Sequence, residues 1–334
     1  MRNRSSSWLS LAMWSLAAGC AASGTPAAAT WAIAIHGGAG TLDRTAPGSQ
    51  LQEYRDVLDH ALAFGRERLA RGDRALDVCE AVVRLLEDDP HFNAGRGAVF
   101  NEKGEHELDA CIMDGATMRC GAVAGVRTVK NPIGLARLVM ERTPHVLLMG
   151  DGAEQFATAT SVDRVDNSYF DTAARRRSLE EVLRERQRTG AAEPRRPEQR
   201  FGTVGCVAKD QRGELAAATS TGGLTGKRWG RVGDSPIVGA GTYADAWVAV
   251  SGTGTGEQFI RHTVARTIAA RMQFGGQTLA EAANAVVFET LDKDDGGVIA
   301  VDRDGNLAAP FNSGGMYRAL ADSRGRYDVR IFED

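Results

Sequence analysis

Aromatic residues are scarce in this 334-residue chain, at 6%, and its five cysteines include no Cys-x-x-Cys pair. That spacing is what a zinc ribbon or a thioredoxin-like redox site would need. Neither sign of charge dominates: 40 basic against 43 acidic residues leave a formal charge of −3, so no strong field draws nucleic acid or an anionic membrane. His106-Glu107 is not followed by a second histidine at helical spacing, the six histidines form no metal set, and no Gly-x-Ser-x-Gly elbow occurs. The zinc-hydrolase and serine-hydrolase patterns are therefore missing. Gly252-Thr253-Gly254-Thr255-Gly256 lacks both the lysine of a phosphate loop and dinucleotide spacing, which argues against a nucleotide site. What is present is 43% hydrophobic residues, enough for the core of one large or two ordinary domains. Thirty-nine glycines against nine prolines gather in clusters at 37–38, 222–223, 252–256 and 314–315, the mark of tight backbone sites.

Arg2 and Arg4 precede an apolar run over residues 8–18, broken only by Ser10 and Ser15. The run is too short to span a bilayer and leads into small residues, so residues 1–29 read as an export signal with a periplasmic destination. Two endings fit: cleavage at Ala27-Ala28-Ala29, or Leu16-Ala17-Ala18-Gly19-Cys20, which resembles a lipoprotein signal with Cys20 as the acylated residue. The mature cysteines are then Cys79, Cys111, Cys120 and Cys206. In an oxidising compartment Cys111 and Cys120 are a candidate disulfide; thiols buried as small apolar side chains are the competing reading.

Residues 31–35 predict a buried strand that ends in the glycine loop His36-Gly37-Gly38-Ala39-Gly40. Apolar residues at helical spacing predict one helix from Leu51 and another from Asp73, stopped by Pro90. A second glycine-bearing loop, Phe92-Asn93-Ala94-Gly95-Arg96-Gly97, follows, then a helix opened by Pro132 and a short buried strand at 145–149. Residues 173–200 hold nine arginines, five glutamates and two prolines, a composition that predicts an exposed linker with one short helix at most. Beyond it come strands at 203–208, 215–220, 238–241 and 246–250, helices at 257–274 and 278–291, and a hairpin at 297–309. The pattern is a layered α+β domain. Residues 207–217, running on to Ser220-Thr221-Gly222-Gly223, align without gaps with 299–309, running on to Asn312-Ser313-Gly314-Gly315. One hairpin unit is used twice, in facing or adjacent sheets, each copy delivering a hydroxyl-Gly-Gly corner.

A nucleophile is offered by Phe201-Gly202-Thr203-Val204-Gly205. Scission between Gly202 and Thr203 would give Thr203 a hydroxyl and an α-amine on one residue. An α-amine titrates at roughly 7.7–8.0, so it can take the hydroxyl proton without a histidine. The dipeptide alone carries no weight, since most Gly-Thr pairs are turns or strand starts.

The larger set does. His36-Gly37-Gly38-Ala39-Gly40, Phe92-Asn93-Ala94-Gly95, Glu107-Leu108-Asp109-Ala110, Gly202-Thr203-Val204-Gly205, Thr219-Ser220-Thr221-Gly222-Gly223, Gly230-Arg231-Val232-Gly233-Asp234-Ser235-Pro236, Gly239-Ala240-Gly241 and Thr253-Gly254-Thr255-Gly256-Glu257 together resemble the plant-type L-asparaginase/isoaspartyl peptidase family of N-terminal-nucleophile (Ntn) hydrolases. The resemblance covers about residues 31 to 320, in the family's order. It implies a four-layer αββα sandwich, a precursor that cuts itself, and a homodimer of processed units. The α chain would be residues 30–202, with a mobile end at 173–202, and the β chain residues 203–334. Thr203 would be the nucleophile, Thr221 its hydroxyl partner, Thr253 and Gly254 the oxyanion hole, and Asn93 the residue orienting Thr203. Arg231 would clamp a substrate α-carboxylate through two parallel hydrogen bonds and Asp234 would take the α-ammonium. Backbone carbonyls of Leu86, Glu87, Asp89, Phe92, Ala94 and Arg96 would hold a structural sodium ion, with no cofactor in catalysis.

Trp229 and Gly252 depart from the family's pattern beside the pocket, which bears on substrate preference. Glycosylasparaginase relatives carry an aspartate before the threonine where this chain has Gly202. The expected reaction is hydrolysis of β-aspartyl dipeptides and of L-asparagine. The alternatives are a glycosylasparaginase-type amidase and, from another class, a periplasmic amino-acid-binding protein that uses Arg231 and Asp234 without chemistry.

Overall fold

A computed structural model describes residues 28–40, 48–190 and 202–332. In chain order these form β1 (Ala32–Gly40), α1 (Gly48–Ala70), α2 (Ala75–Asp88), β2 (Leu108–Asp114), β3 (Cys120–Val126), α3 (Pro132–Arg142), β4 (Leu147–Met149), α4 (Gly150–Thr160) and α5 (Ala173–Thr189). The remainder comprises β5 (Val204–Lys209), β6 (Leu215–Thr221), β7 (Thr242–Ala244), β8 (Val248–Gly254), α6 (Gly256–Arg261), α7 (Val264–Gln273), α8 (Leu279–Ala285), β9 (Gly296–Asp302), β10 (Leu307–Ala308), β11 (Gly315–Asp322) and β12 (Tyr327–Arg330). Of the export-signal reading over 1–29, residues 1–27, Cys20 among them, lie outside the described residues, while Ala29 is buried with its carbonyl accepting from Lys209 Nζ.

Eight strands make one sheet in the order β12-β11-β1-β5-β6-β2-β3-β4, and four make a second, β10-β9-β8-β7. Strand period decides which face each residue serves. On β1, Ile33 and Ile35 join the core beneath α1 and α2, while Ala32 and Ala34 join the core shared with the second sheet. β5 and β6 repeat the division, with Cys206, Ala208, Ala216 and Ala218 on the helix side and Val207 and Ala217 between the sheets. Helices α7 and α8 cover the outer face of the second sheet. The result is the αββα sandwich.

The two similar hairpins are β5–β6 in the large sheet and β9–β10 in the small one. Each turns on an aspartate. One Asp210 carboxylate oxygen accepts the N–H groups of Arg212 and Glu214, and Asp302 accepts those of Asp304 and Asn306 in the same way. A third copy, at Asp322, accepts from Arg324 and Arg326 and joins β11 to β12.

Several boundaries differ from the sequence expectation. His36-Gly37-Gly38-Ala39-Gly40 is not a loop after a strand; it is the end of β1, bulged between His36 and Gly38. The strand at 145–149 is edge strand β4, with Leu147 and Met149 exposed. No strand forms at 238–241, and the single helix expected at 257–274 is broken into α6 and α7 at Thr263, whose φ is +44°.

The largest correction concerns 173–200. α5 runs for 17 residues, capped by the Thr172 hydroxyl at one end and by left-handed Gly190 at the other. Composition hid it because its anchor is narrow: Leu179, Val182 and Arg186 are buried, and Arg186 Nη1 donates to the Gly226 carbonyl at 2.8 Å. An aliphatic pair plus one buried guanidinium suffices where i, i+3 and i+7 spacing lays them on one face. The described cysteines are all free. Cys120 stands opposite Met113, and Cys111 opposite Ala122, so the two sulfurs are diagonal rather than paired across β2 and β3.

Candidate active site

Strand parity gathers the polar residues at one end of the space between the sheets. Thr203 and Gly205 continue the Val207 face of β5, Thr219 and Thr221 the Ala217 face of β6, and His36 the Ala34 face of β1. From the facing sheet, Ser251 and Thr253 continue the Ala249 face of β8. Thr203 precedes the β5 ladder and is 8% exposed.

The Thr203 and Thr221 hydroxyls are 3.0 Å apart, and Thr221 Oγ1 also accepts the Gly223 N–H at 3.0 Å. Having one donor and a second lone pair, the Thr221 hydroxyl can either donate to Thr203 Oγ1 or accept from it. The Gly202 carbonyl, one side of the bond expected to break, accepts the Asn93 N–H at 2.8 Å. Gly222 N–H donates to the Asn93 carbonyl, and the Asn93 side chain spans Gly223 O and Val99 N–H. Asn93 thus cross-links the strand ends carrying Thr203 and Thr221 mainly through its backbone, and no hydrogen bond from its amide to the Thr203 hydroxyl is formed.

Thr253 Oγ1 accepts the Ala39 N–H at 3.2 Å, which leaves its hydroxyl proton to donate. Gly254 follows at the end of β8, its φ of +159° packed against Asp295 and Phe259, where a Cβ would collide with the Asp295 carbonyl. A Cβ is excluded.

Arg231 and Asp234 are brought together, enclosed by glycines. A Cβ on Gly256 would stand 2.7 Å from Arg231 Nη2 and 3.0 Å from Asp234 Oδ1, and one on Gly241 would stand 2.5 Å from Asp234 Oδ2. Asp234 is buried and its Oδ2 is without a hydrogen-bond partner. Burial pushes its carboxyl up to about 7, with Arg231 pulling the other way. An unpartnered buried carboxylate aimed into a glycine-lined space is a receptor for a cation. Arg231 differs from expectation: its Nε and Nη2 already make a bidentate pair with Glu257, both at 2.9 Å. Burial works against the Glu257 charge, but Arg231 holds that carboxyl below its usual range. The nitrogen left over is Nη1, 3.5 Å from where a Gly223 Cβ would lie.

The sequence reading assigned no role to the residues behind this front. His36 donates or accepts at both nitrogens, 3.0 Å from the Thr203 carbonyl and 2.9 Å from Ser251 Oγ. Lys227 is buried with Nζ donating to the Glu107 carbonyl at 2.7 Å, and Asp109 beside it has one unpartnered oxygen. Burial lowers the lysine's pKa and raises that of Asp109. His36 stood in a quoted motif, and Lys227 is a single lysine in an ordinary turn; neither local pattern tells a buried polar residue from an exposed one.

The candidate sodium loop folds tightly. Cβ atoms on Gly95 and Gly97 would strike the carbonyls of Glu87, Phe92 and Pro90, so these glycines let several carbonyls converge. Leu86 O and Ala94 O each also accept an N–H, from Asp89 and Gly97. Among the described residues no group of three or more His, Cys, Asp or Glu is arranged to hold a metal ion.

Residues 29–331 match the family described as asparaginase. Isoaspartyl peptidase of Salmonella typhimurium is 54% identical over 299 residues, covering 86% of this chain and 94% of that relative. Isoaspartyl peptidase of Escherichia coli is 52% identical, over 86% and 91%. Isoaspartyl peptidase/L-asparaginase of Bos taurus is 41% identical, over 86% and 92%.

Proposed function

Since the chain belongs to the asparaginase family, we propose that it is a self-cleaving threonine hydrolase that splits β-aspartyl dipeptides and the side-chain amide of L-asparagine, releasing L-aspartate. The observation that carries this is the Thr203–Thr221 hydroxyl pair beside the enclosed Arg231 and Asp234.

Activation begins with Thr203 Oγ1 attacking the Gly202 carbonyl carbon. The C–N bond breaks as the amine takes the hydroxyl proton, which frees the Thr203 amine, and water then splits the resulting ester into a Gly202 carboxylate and the Thr203 hydroxyl. In turnover that amine accepts the Thr203 hydroxyl proton while Oγ1 attacks the substrate's side-chain carbonyl. The Thr253 hydroxyl and Gly254 N–H stabilise the oxyanion, each worth on the order of 3 kcal/mol. Collapse expels ammonia or the amine of the next residue, which leaves with the proton held by the Thr203 ammonium. Water, deprotonated by the same amine, resolves the β-aspartyl ester to aspartate. Arg231 Nη1 takes the α-carboxylate and Asp234 the α-ammonium, fixing only the aspartyl half. The leaving group is unrestricted, so dipeptides are used at least as well as asparagine.

Thr203→Ala tests the reading: it remains one chain, while active wild type yields a second N-terminus beginning Thr-Val-Gly-Cys. Uncut, fully active wild type overturns it. A cut between other residues overturns it too. Gly202 in place of an aspartate favours this branch over the glycosylasparaginase-type amidase.

Three further readings complete the proposal. A sodium ion held by the carbonyls of Leu86, Glu87, Asp89, Phe92, Ala94 and Arg96 would brace the loop bearing Asn93 and supply no Lewis acidity. Arg2, Arg4 and the 8–18 run direct the chain to the periplasm, with Cys20 as an acylation site if the shorter signal is used. Processed units pair as a homodimer, as family membership implies. No described helix is long and apolar enough to cross a membrane.

A further inference from the structure

Scission creates a mechanical problem that the mechanism above leaves unsolved. Before it, Thr203 is held from both sides: the Gly202 carbonyl is tied to the Asn93 N–H, and Val204 is paired with Ser220. Afterwards Thr203 is a chain end, one residue outside the β5 ladder, and chain ends fray unless tied down.

The tie visible in the fold is His36. Its Nδ1 lies 3.0 Å from the Thr203 carbonyl oxygen, an acceptor only, so Nδ1 carries the proton. In a neutral ring Nε2 then accepts, and Ser251 Oγ donates to it at 2.9 Å. Thr219 Oγ1 donates to Ser251 Oγ at 2.7 Å and Thr242 Oγ1 to Thr219 Oγ1 at 2.7 Å, where the run of three hydroxyl protons ends. All these side chains are buried, and burial lowers the His36 pKa to about 3, which keeps the ring neutral. Gly205 is part of the same device: a Cβ there would collide with both His36 Nε2 and Ser251 Oγ. The glycine two residues after the nucleophile is required because the histidine–serine hydrogen bond crosses its face.

We propose that His36 is the positioning residue of the processed enzyme: its Nδ1–H fixes the Thr203 carbonyl, and with it the peptide plane from which the nucleophile hangs, after scission has released the other side. With that plane held, only ψ and χ1 of Thr203 remain free, and the Thr221 hydroxyl restrains the second. The ring is thus braced at Nε2 by a run of three buried hydroxyls, Ser251, Thr219 and Thr242. This rests on the proposed function.

The test compares self-cleavage with turnover in the same protein. His36→Ala is expected to cut itself within about tenfold of the wild-type rate, because the precursor still holds Gly202. Its kcat on a β-aspartyl dipeptide should fall by about 100-fold, the scale of a small misplacement of a reacting group, with KM within about threefold because Arg231 and Asp234 are untouched. His36→Asn, whose amide nitrogen sits where Nδ1 does, should recover at least tenfold of the loss, and His36→Gln, which reaches the Nε2 position instead, should not. General damage to the fold would slow both reactions alike, and that result overturns the proposal, as does an unchanged kcat. If His36→Ala is insoluble, the order of Asn above Gln decides, and its reversal overturns the role. Wild type that is never cut sinks the proposed function as well, whereas cut wild type with a fully active His36→Ala sinks only the role of His36.

Discussion

Asp234 is a carboxyl whose burial costs stability until a substrate ammonium arrives. Its pKa stands near 7 in the folded chain against 3.8 for the free side chain. Below about pH 4 both states are protonated and nothing is lost; between there and pH 7 the unfolded chain releases a proton that the folded one keeps, so stability falls as pH rises. Asp234→Asn removes that penalty. Its Tm advantage over wild type should be absent at pH 4 and reach roughly 2–6 °C by pH 7.5, with KM for a β-aspartyl dipeptide raised by about 100-fold or more. Equal melting profiles across that pH range would show that the carboxyl is not buried as described. In wild type, KM should fall as pH rises through 7, because only the carboxylate holds the ammonium. Thr203, Thr221, Arg231 and Asp234 stood out as motif positions; the structure sets the two hydroxyls 3.0 Å apart and puts Arg231 and Asp234 on either side of Gly256, with the ion pair of Arg231 made to Glu257. The Glu257 pairing with Arg231 was not legible, because Glu257 lies 26 residues away in another element.

At the scale of elements, the aspartate hairpin is the recurrent unit. Two copies were readable as an ungapped repeat; the third, Asp322-Ser323-Arg324-Gly325, shares only its turn with them. In each the carboxylate stands in for missing strand hydrogen bonds, and a glycine at φ +82°, +77° or +101° closes the turn. Asp302→Ala removes the acceptor for two backbone N–H groups and the Asn306 amide. It should lower stability by about 1–3 kcal/mol in urea melts while kcat stays within twofold, the turn being remote from Thr203. Helix α5 makes the opposite lesson: a composition rich in arginine and glutamate forms a full helix because three residues at helical spacing find a groove. Its amides from Arg176 to Gly190 should therefore show hydrogen-exchange protection in the precursor; exchange at the unfolded rate would return that segment to the linker first expected.

For the molecule as a whole, the sandwich sorts thiols as it sorts everything else. Cys79, Cys111 and Cys206 are buried, and burial pushes the Cys79 and Cys111 thiols far above the ordinary range. Native protein should leave these three unlabelled by iodoacetamide at pH 8, and denatured protein should expose them without reductant; a thiol recovered only after reduction would establish a disulfide.

Local chemistry was written in the sequence: the alternation of β1 and β5, the glycines that permit close approach, and the residue types a threonine nucleophile and an aspartyl clamp require. Those follow from neighbours along the chain, where period and side-chain chemistry act directly. What only the tertiary structure decided was pairing across distance. His36 meets Thr203 over 167 residues and Ser251 over 215, and no local pattern encodes which buried polar group will find which. That choice is made when two sheets stack, since each unpaired donor or acceptor left between them is costly enough to force a partner.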